Sequence, residues 1–132
     1  MFSIKADTQL SRMDIVIRNV YDEEDLKTIL FLLRREVIKL EPGWTAALDL
    51  RGMRVLEQRL TGYIKKMMEV FRDQGVLRIA ALYDNVVLKM QVQRMSKEAG
   101  TDAYSTPFSD EDQWQGFLDS PPTLNKPNSE AR

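Results

Sequence analysis

Cysteine and histidine are both absent from this chain, and together the two absences exclude more chemistry than any residue present suggests. Without thiols there are no disulfides and no thiolate nucleophiles; without imidazoles the usual general base near neutral pH is gone, and almost every transition-metal site loses its ligands. Catalysis would have to rest on Asp, Glu, Lys, Ser, Thr or Tyr, and a metal would have to be a hard cation held by oxygen. No spacing of those residues supports either, so no cofactor, no metal and no enzymatic activity are expected. Long apolar runs are also missing: segments such as Ile29 to Leu33 stop far short of the roughly 20 residues of a membrane-spanning helix. The opening Met1-Phe2-Ser3-Ile4-Lys5 lacks the basic-then-apolar pattern of a signal peptide, which makes a cytoplasmic location the expectation. Charge of one sign is lacking as well. The 19 basic and 20 acidic side chains are interspersed, and a net charge of −1 offers no field to attract nucleic acid.

What is present suits one folded domain. At 132 residues, with 43% hydrophobic and 30% charged side chains, the chain is long enough for a single core and too short for two. Near-alternate apolar residues in Phe2 to Ala6 and Met13 to Arg18, separated by the polar Asp7 to Arg12, predict an opening hairpin. Asp22 to Asp25 then supply a cap and first-turn acids for a helix carrying Leu26, Ile29, Leu30, Leu33, Val37 and Leu40, which Pro42-Gly43 ends. Trp44 to Leu50 reads as a strand buried on both faces. A second helix is predicted over about Glu57 to Gln74, with Gly75 as its left-handed cap. Val76 to Tyr83 predicts another strand, and Leu88, Val92, Met95 and Ala99 mark a third helix closed by Gly100. Ser109 and Asp112 stand in capping-box relation before a short last helix with Trp114, Phe117 and Leu118 on one face. From Ser120 onward three prolines and little apolar content predict a disordered tail over 120–132, leaving a domain over 1–119. The expected fold class is α/β: a mixed sheet with an opening hairpin, then alternating strands and helices, the helices packed on the sheet.

This order of elements, with Leu48-Asp49-Leu50-Arg51-Gly52-Met53 leading toward a helix, resembles the STAS family of sulfate-transporter and anti-sigma-factor-antagonist domains, in its SpoIIAA-like branch. A weaker echo lies in Phe108 to Asp112 followed by Phe117-Leu118, similar to an acidic last helix ending in an aromatic-leucine pair. The resemblance covers about Phe2 to Leu118. It implies a non-enzymatic bacterial regulatory module with a kinase-like or sigma-regulatory protein partner; the alternative it allows is a module holding a lipid or other small apolar ligand. Family members carry a phosphorylated serine in an Asp-Ser motif at the start of the second helix. In this chain Glu57 falls on the aspartate, Gln58 on the serine and Arg59 on the residue after it, so the phosphoacceptor is missing. Thr61 is the nearest displaced candidate.

Two surfaces stand out as candidates. Arg51, Arg54 and Arg59 are expected around the start of the second helix, where a phosphate or an acidic partner loop is favoured; the alternative is three solvated arginines pairing with Glu57 and nearby acids. Asp49 ends a buried strand, where open α/β sheets contact ligands, or else bonds the N–H groups of its own loop. On the first helix Phe31 and Leu32 lie outside the core stripe and need a cover, which is either a neighbouring loop or the last helix, or, as predicted here, a partner or a second copy of the chain.

Overall fold

A computed structural model of the protein describes residues 1–122. Strands β1 (Phe2–Asp7) and β2 (Arg12–Ile17) form an antiparallel hairpin. Its turn is fixed by Asp7, whose carboxylate accepts from the backbone N–H groups of Gln9 and Leu10. Helix α1 (Glu23–Val37) starts on Asp22, which accepts from Asp25 N at 2.8 Å. There follow β3 (Trp44–Asp49), a 3-10 turn (Gln58–Leu60), α2 (Thr61–Asp73), β4 (Val76–Leu82) and α3 (Val86–Ala99). A second 3-10 turn (Asp102–Tyr104), β5 (Ser105–Phe108) and α4 (Glu111–Asp119) complete the fold.

The five strands lie in chain order, β1-β2-β3-β4-β5, with β2 to β5 mutually parallel. Parallel neighbours joined in sequence by right-handed crossovers send every connecting helix to the same face. Accordingly α1, α2 and α3 bury one side of the sheet, where Met13, Ile15 and Ile17 of β2, Ala46 and Leu48 of β3, and Ile79 and Ala81 of β4 join the large core. Trp44 sits wholly inside it, edge-on to Phe71 at 5.6 Å between ring centres, with its indole N–H donating to Gln74 O at 2.8 Å. Gly75, at φ +81°, passes so close to Pro42 that a Cβ would meet it at 2.8 Å, so only glycine fits the approach to β4.

Among the described residues only α4 crosses to the opposite face. The small Ala47 and Ala80 let it lie close, under Phe108, Trp114, Phe117 and Leu118, and Trp114 donates its indole N–H to Ala80 O at 3.0 Å. Arg78 of β4 reaches the end of this helix, its guanidinium donating to the carbonyls of Phe117, Leu118 and Ser120. At the sheet margin, Glu36 of α1 is buried and its carboxylate accepts from the outward N–H of Ala6 in β1 at 3.0 Å. Lys39 holds the second oxygen at 2.8 Å.

Two predicted boundaries are corrected. Helix α2 begins at Thr61 and not near Glu57, because Leu56 and Leu60 are both drawn into the core and Glu57 stays extended at φ −58°, ψ 147°. The last helix is capped by Asp110, which accepts from Asp112 N and Gln113 N; Ser109 lies one residue too early. Of the tail expected from Ser120 onward, Ser120 is tied to Gly116 O and to Arg78, and residues 123–132 lie outside the described residues.

Candidate functional site

The carboxyl ends of β2, β3 and β4 converge with the start of α4, and charged side chains from all four knit the loop after β3. Asp49 is the centre. Its side chain leaves the sheet on the α4 face, and its two oxygens accept from Arg51 Nε (2.9 Å), Arg51 Nη2 (2.7 Å), Arg18 Nη1 (3.3 Å) and Arg18 Nη2 (3.0 Å). The backbone N–H of Arg51 adds a contact at 3.2 Å. Burial of the Asp49 carboxyl pushes its pKa up, but the hydrogen bonds from Arg51 and Arg18 outweigh this and hold it well below the usual carboxylate range. Arg51 in turn donates to Glu111 of α4 at 2.9 Å, and Arg18 donates to Arg51 O.

Gly52 continues the clamp. It adopts φ +79°, accepts from Asn19 N at 2.7 Å and donates its own N–H to both oxygens of Asp84 at 3.1 Å. Farther along, the Gln91 amide of α3 brackets Leu56, accepting from its N–H at 3.0 Å and donating to its carbonyl at 2.7 Å. The segment from Leu50 to Leu60 is therefore irregular in conformation yet fixed at three points, by Asp49, by Asp84 and by Gln91.

The three candidate arginines are each engaged separately. Arg51 belongs to the Asp49 clamp; Arg54 stacks on the Tyr21 ring at 4.2 Å; Arg59 pairs with Glu57 at 2.9 Å and lies 3.6 Å from Glu23. Glu23 also accepts from the Tyr63 hydroxyl at 2.8 Å, which fastens the start of α1 to α2. Gln58 is exposed at the start of the 3-10 turn, whereas Thr61 is buried and donates its hydroxyl to Gln58 O at 2.9 Å. A threonine so placed presents no hydroxyl to an enzyme from outside. On α1, Phe31 is 64% exposed and shares a row with Arg34 and the exposed Ile38; Leu32 is half-buried in the row of Glu36, beside β1.

Arg18, Asp84, Gln91 and Glu111 complete the site and were not singled out from sequence. Arg18 alone carried a signal: it is a charged residue directly after the half-buried β2, two residues beyond Val16, the register partner of Asp49. Beside this loop lies an apolar surface equally unforeseen. Val55 in the loop and Val86, Val87 and Met90 on the first turns of α3 are 40–71% exposed. Val86 and Met90 share one row of α3, and Val87 shares the row of Gln91, which holds the loop. Among the described residues no three His, Cys, Asp or Glu side chains group to hold a metal, and no helix is long and apolar enough to cross a membrane. No protein-family model, curated protein or solved structure matches the chain.

Proposed function

We propose that the chain is a non-enzymatic regulatory module that binds a protein partner at the carboxyl end of its parallel strands, in the manner of a cytoplasmic anti-sigma-factor antagonist of the STAS type but without the phosphoacceptor. The carrying observation is the exposed aliphatic group Val55, Val86, Val87 and Met90 beside a loop that is already rigid. Full burial of such side chains stabilises by about 1.5–3 kcal/mol each. Leaving four of them in water at one place forgoes several kcal/mol that a partner surface recovers. Arg54, Arg59 and Tyr21 stand around the same loop, and interfaces favour an apolar centre with aromatic and arginine neighbours. Because Asp49, Asp84 and Gln91 hold the loop in place, little ordering entropy is lost when a partner docks.

The chemistry of the acidic groups supports binding over catalysis. Asp49 has both oxygens engaged by guanidinium groups and stays ionised, so it is poorly placed to take up and release a proton. The test is a pull-down from cells with the native chain as bait, repeated with Val87→Glu and with Met90→Glu. Both substitutions fall on exposed positions, so the fold is retained, and each is expected to lose a stoichiometric partner. Retention of that partner by both variants refutes this contact face.

A further inference from the structure

A cavity of about 250 Å³ opens between α3 and β5. Its origin is topological. Helices α1 to α3 fill one side of the sheet, but the helix following β5 crosses to the other side, so among the described residues no element stacks beside α3 over the β5 margin. Met68, Ile79, Ala81 and Val92 line it with apolar surface, and Lys97 and Asp102, both exposed, belong to its wall.

The polar group that gives the cavity a use is Tyr83. The residue is only 5% exposed, yet its hydroxyl makes no hydrogen bond to a described residue. The Tyr83 oxygen is not fully enclosed by the described residues, so it reaches open space, and the space that Tyr83 lines is this cavity. Burial pushes the phenol pKa up, which keeps it protonated and a donor at neutral pH. A phenol O–H without a partner in a mostly apolar pocket is completed by an acceptor atom on a ligand.

Size and charge narrow the ligand. A dry cavity of about 150 Å³ accommodates benzene, so 250 Å³ takes roughly ten non-hydrogen atoms. The lining carries one cation, Lys97, and one anion, Asp102, so neither sign of ligand is favoured. We propose that the α3–β5 cavity binds a small neutral molecule, a single ring bearing a carbonyl oxygen that accepts a hydrogen bond from Tyr83. This site shares no lining residue with the loop face, so its fate is independent of the partner reading above.

The test uses the full chain, isotope-labelled, titrated with acetophenone, with ethylbenzene as the hydrocarbon lacking the carbonyl oxygen, and with benzoate as the charged counterpart. Saturable shifts of the Met68, Ile79 and Val92 methyl resonances are expected with acetophenone, with about five- to tenfold weaker binding of the other two. Tyr83→Phe keeps the ring and is expected to reduce acetophenone affinity to that of ethylbenzene. Ala81→Val narrows the cavity from the sheet side and is expected to weaken binding of all three. Absence of saturable shifts at the cavity methyls in the native chain overturns the proposal. So does undiminished acetophenone binding by Tyr83→Phe, or benzoate binding equal to acetophenone.

Discussion

Replacing Asp49 by alanine removes one carboxylate and strands two guanidinium groups at once. Truncating one side of a fully buried ion pair costs about 3–5 kcal/mol, because the other charge is left desolvated. Here the discount is set by exposure: the side chains of Arg18 and Arg51 are 37% and 34% accessible against 8% for Asp49, so both cations recover part of their hydration. A loss of about 2 kcal/mol follows, which for a domain of this length lowers Tm by roughly 8 °C. The pH dependence carries the sharper test. Asp49 has a folded-state pKa depressed below its ordinary 3.8, so its contribution is complete above that value and fades as pH falls through the lower, folded one. Calorimetry of native and Asp49→Ala proteins should therefore give a Tm gap that is widest near pH 7 and narrows below pH 4. Other acids titrate in both proteins and cancel in the difference. A gap under about 2 °C at neutral pH, or one that does not narrow in acid, refutes the view that this charge cluster organises the loop.

Arg78→Ala should cost about 2 kcal/mol, since three carbonyls at the end of α4 and the face of Phe117 lose their partner, and hydrogen exchange should quicken in α4 before any other helix. If the proposed STAS-type reading holds, Gln58→Ser creates a phosphorylation site for a kinase that acts on serine-bearing STAS domains, while the native chain stays unmodified; phosphate on native Thr61, found by peptide mass spectrometry, would show that the buried hydroxyl becomes accessible. Phe31→Glu should leave Tm within about 1 °C, as befits an exposed position, and light scattering should show whether it reduces the mass of any oligomer; unchanged mass together with an unchanged set of bound partners removes α1 as an interface.

The hydrophobic periodicities of α1 and α3 announced their own buried faces, and the strands Trp44–Asp49 and Val76–Leu82 stood out as short apolar runs between turn signals. These features are local, and local spacing decides them. The start of α2 was misplaced because it is decided by a contact 35 residues away, the grip of Gln91 on Leu56, which no window of adjacent residues contains. The Asp49 clamp was half legible for the same reason: Arg51 is near in sequence, but Arg18 comes from just after β2 and Glu111 from the last helix. Val86, Val87 and Met90 look in sequence like ordinary members of an apolar helix. Spacing already set them off the stripe of Leu88, Val92 and Met95, but whether another element covers them is a tertiary question, and the packing leaves them 55–71% exposed.

The carboxylate of Glu36 at the β1 margin bears on how the protein behaves at high concentration. An outer strand with free N–H groups is a template on which another chain can lay a strand of its own, and β1 is such a strand. With Glu36 already bonded to the outward N–H of Ala6, an incoming strand must displace an ionised acceptor before it can form the hydrogen bond at that position. The hydrogen bond from Ala6, aided by Lys39, holds the Glu36 pKa below its usual range, so the guard persists down to mildly acidic conditions and is withdrawn only on further acidification. Storage in strong acid, even where the core survives, should therefore convert a self-terminating sheet into one that can grow from its hairpin side.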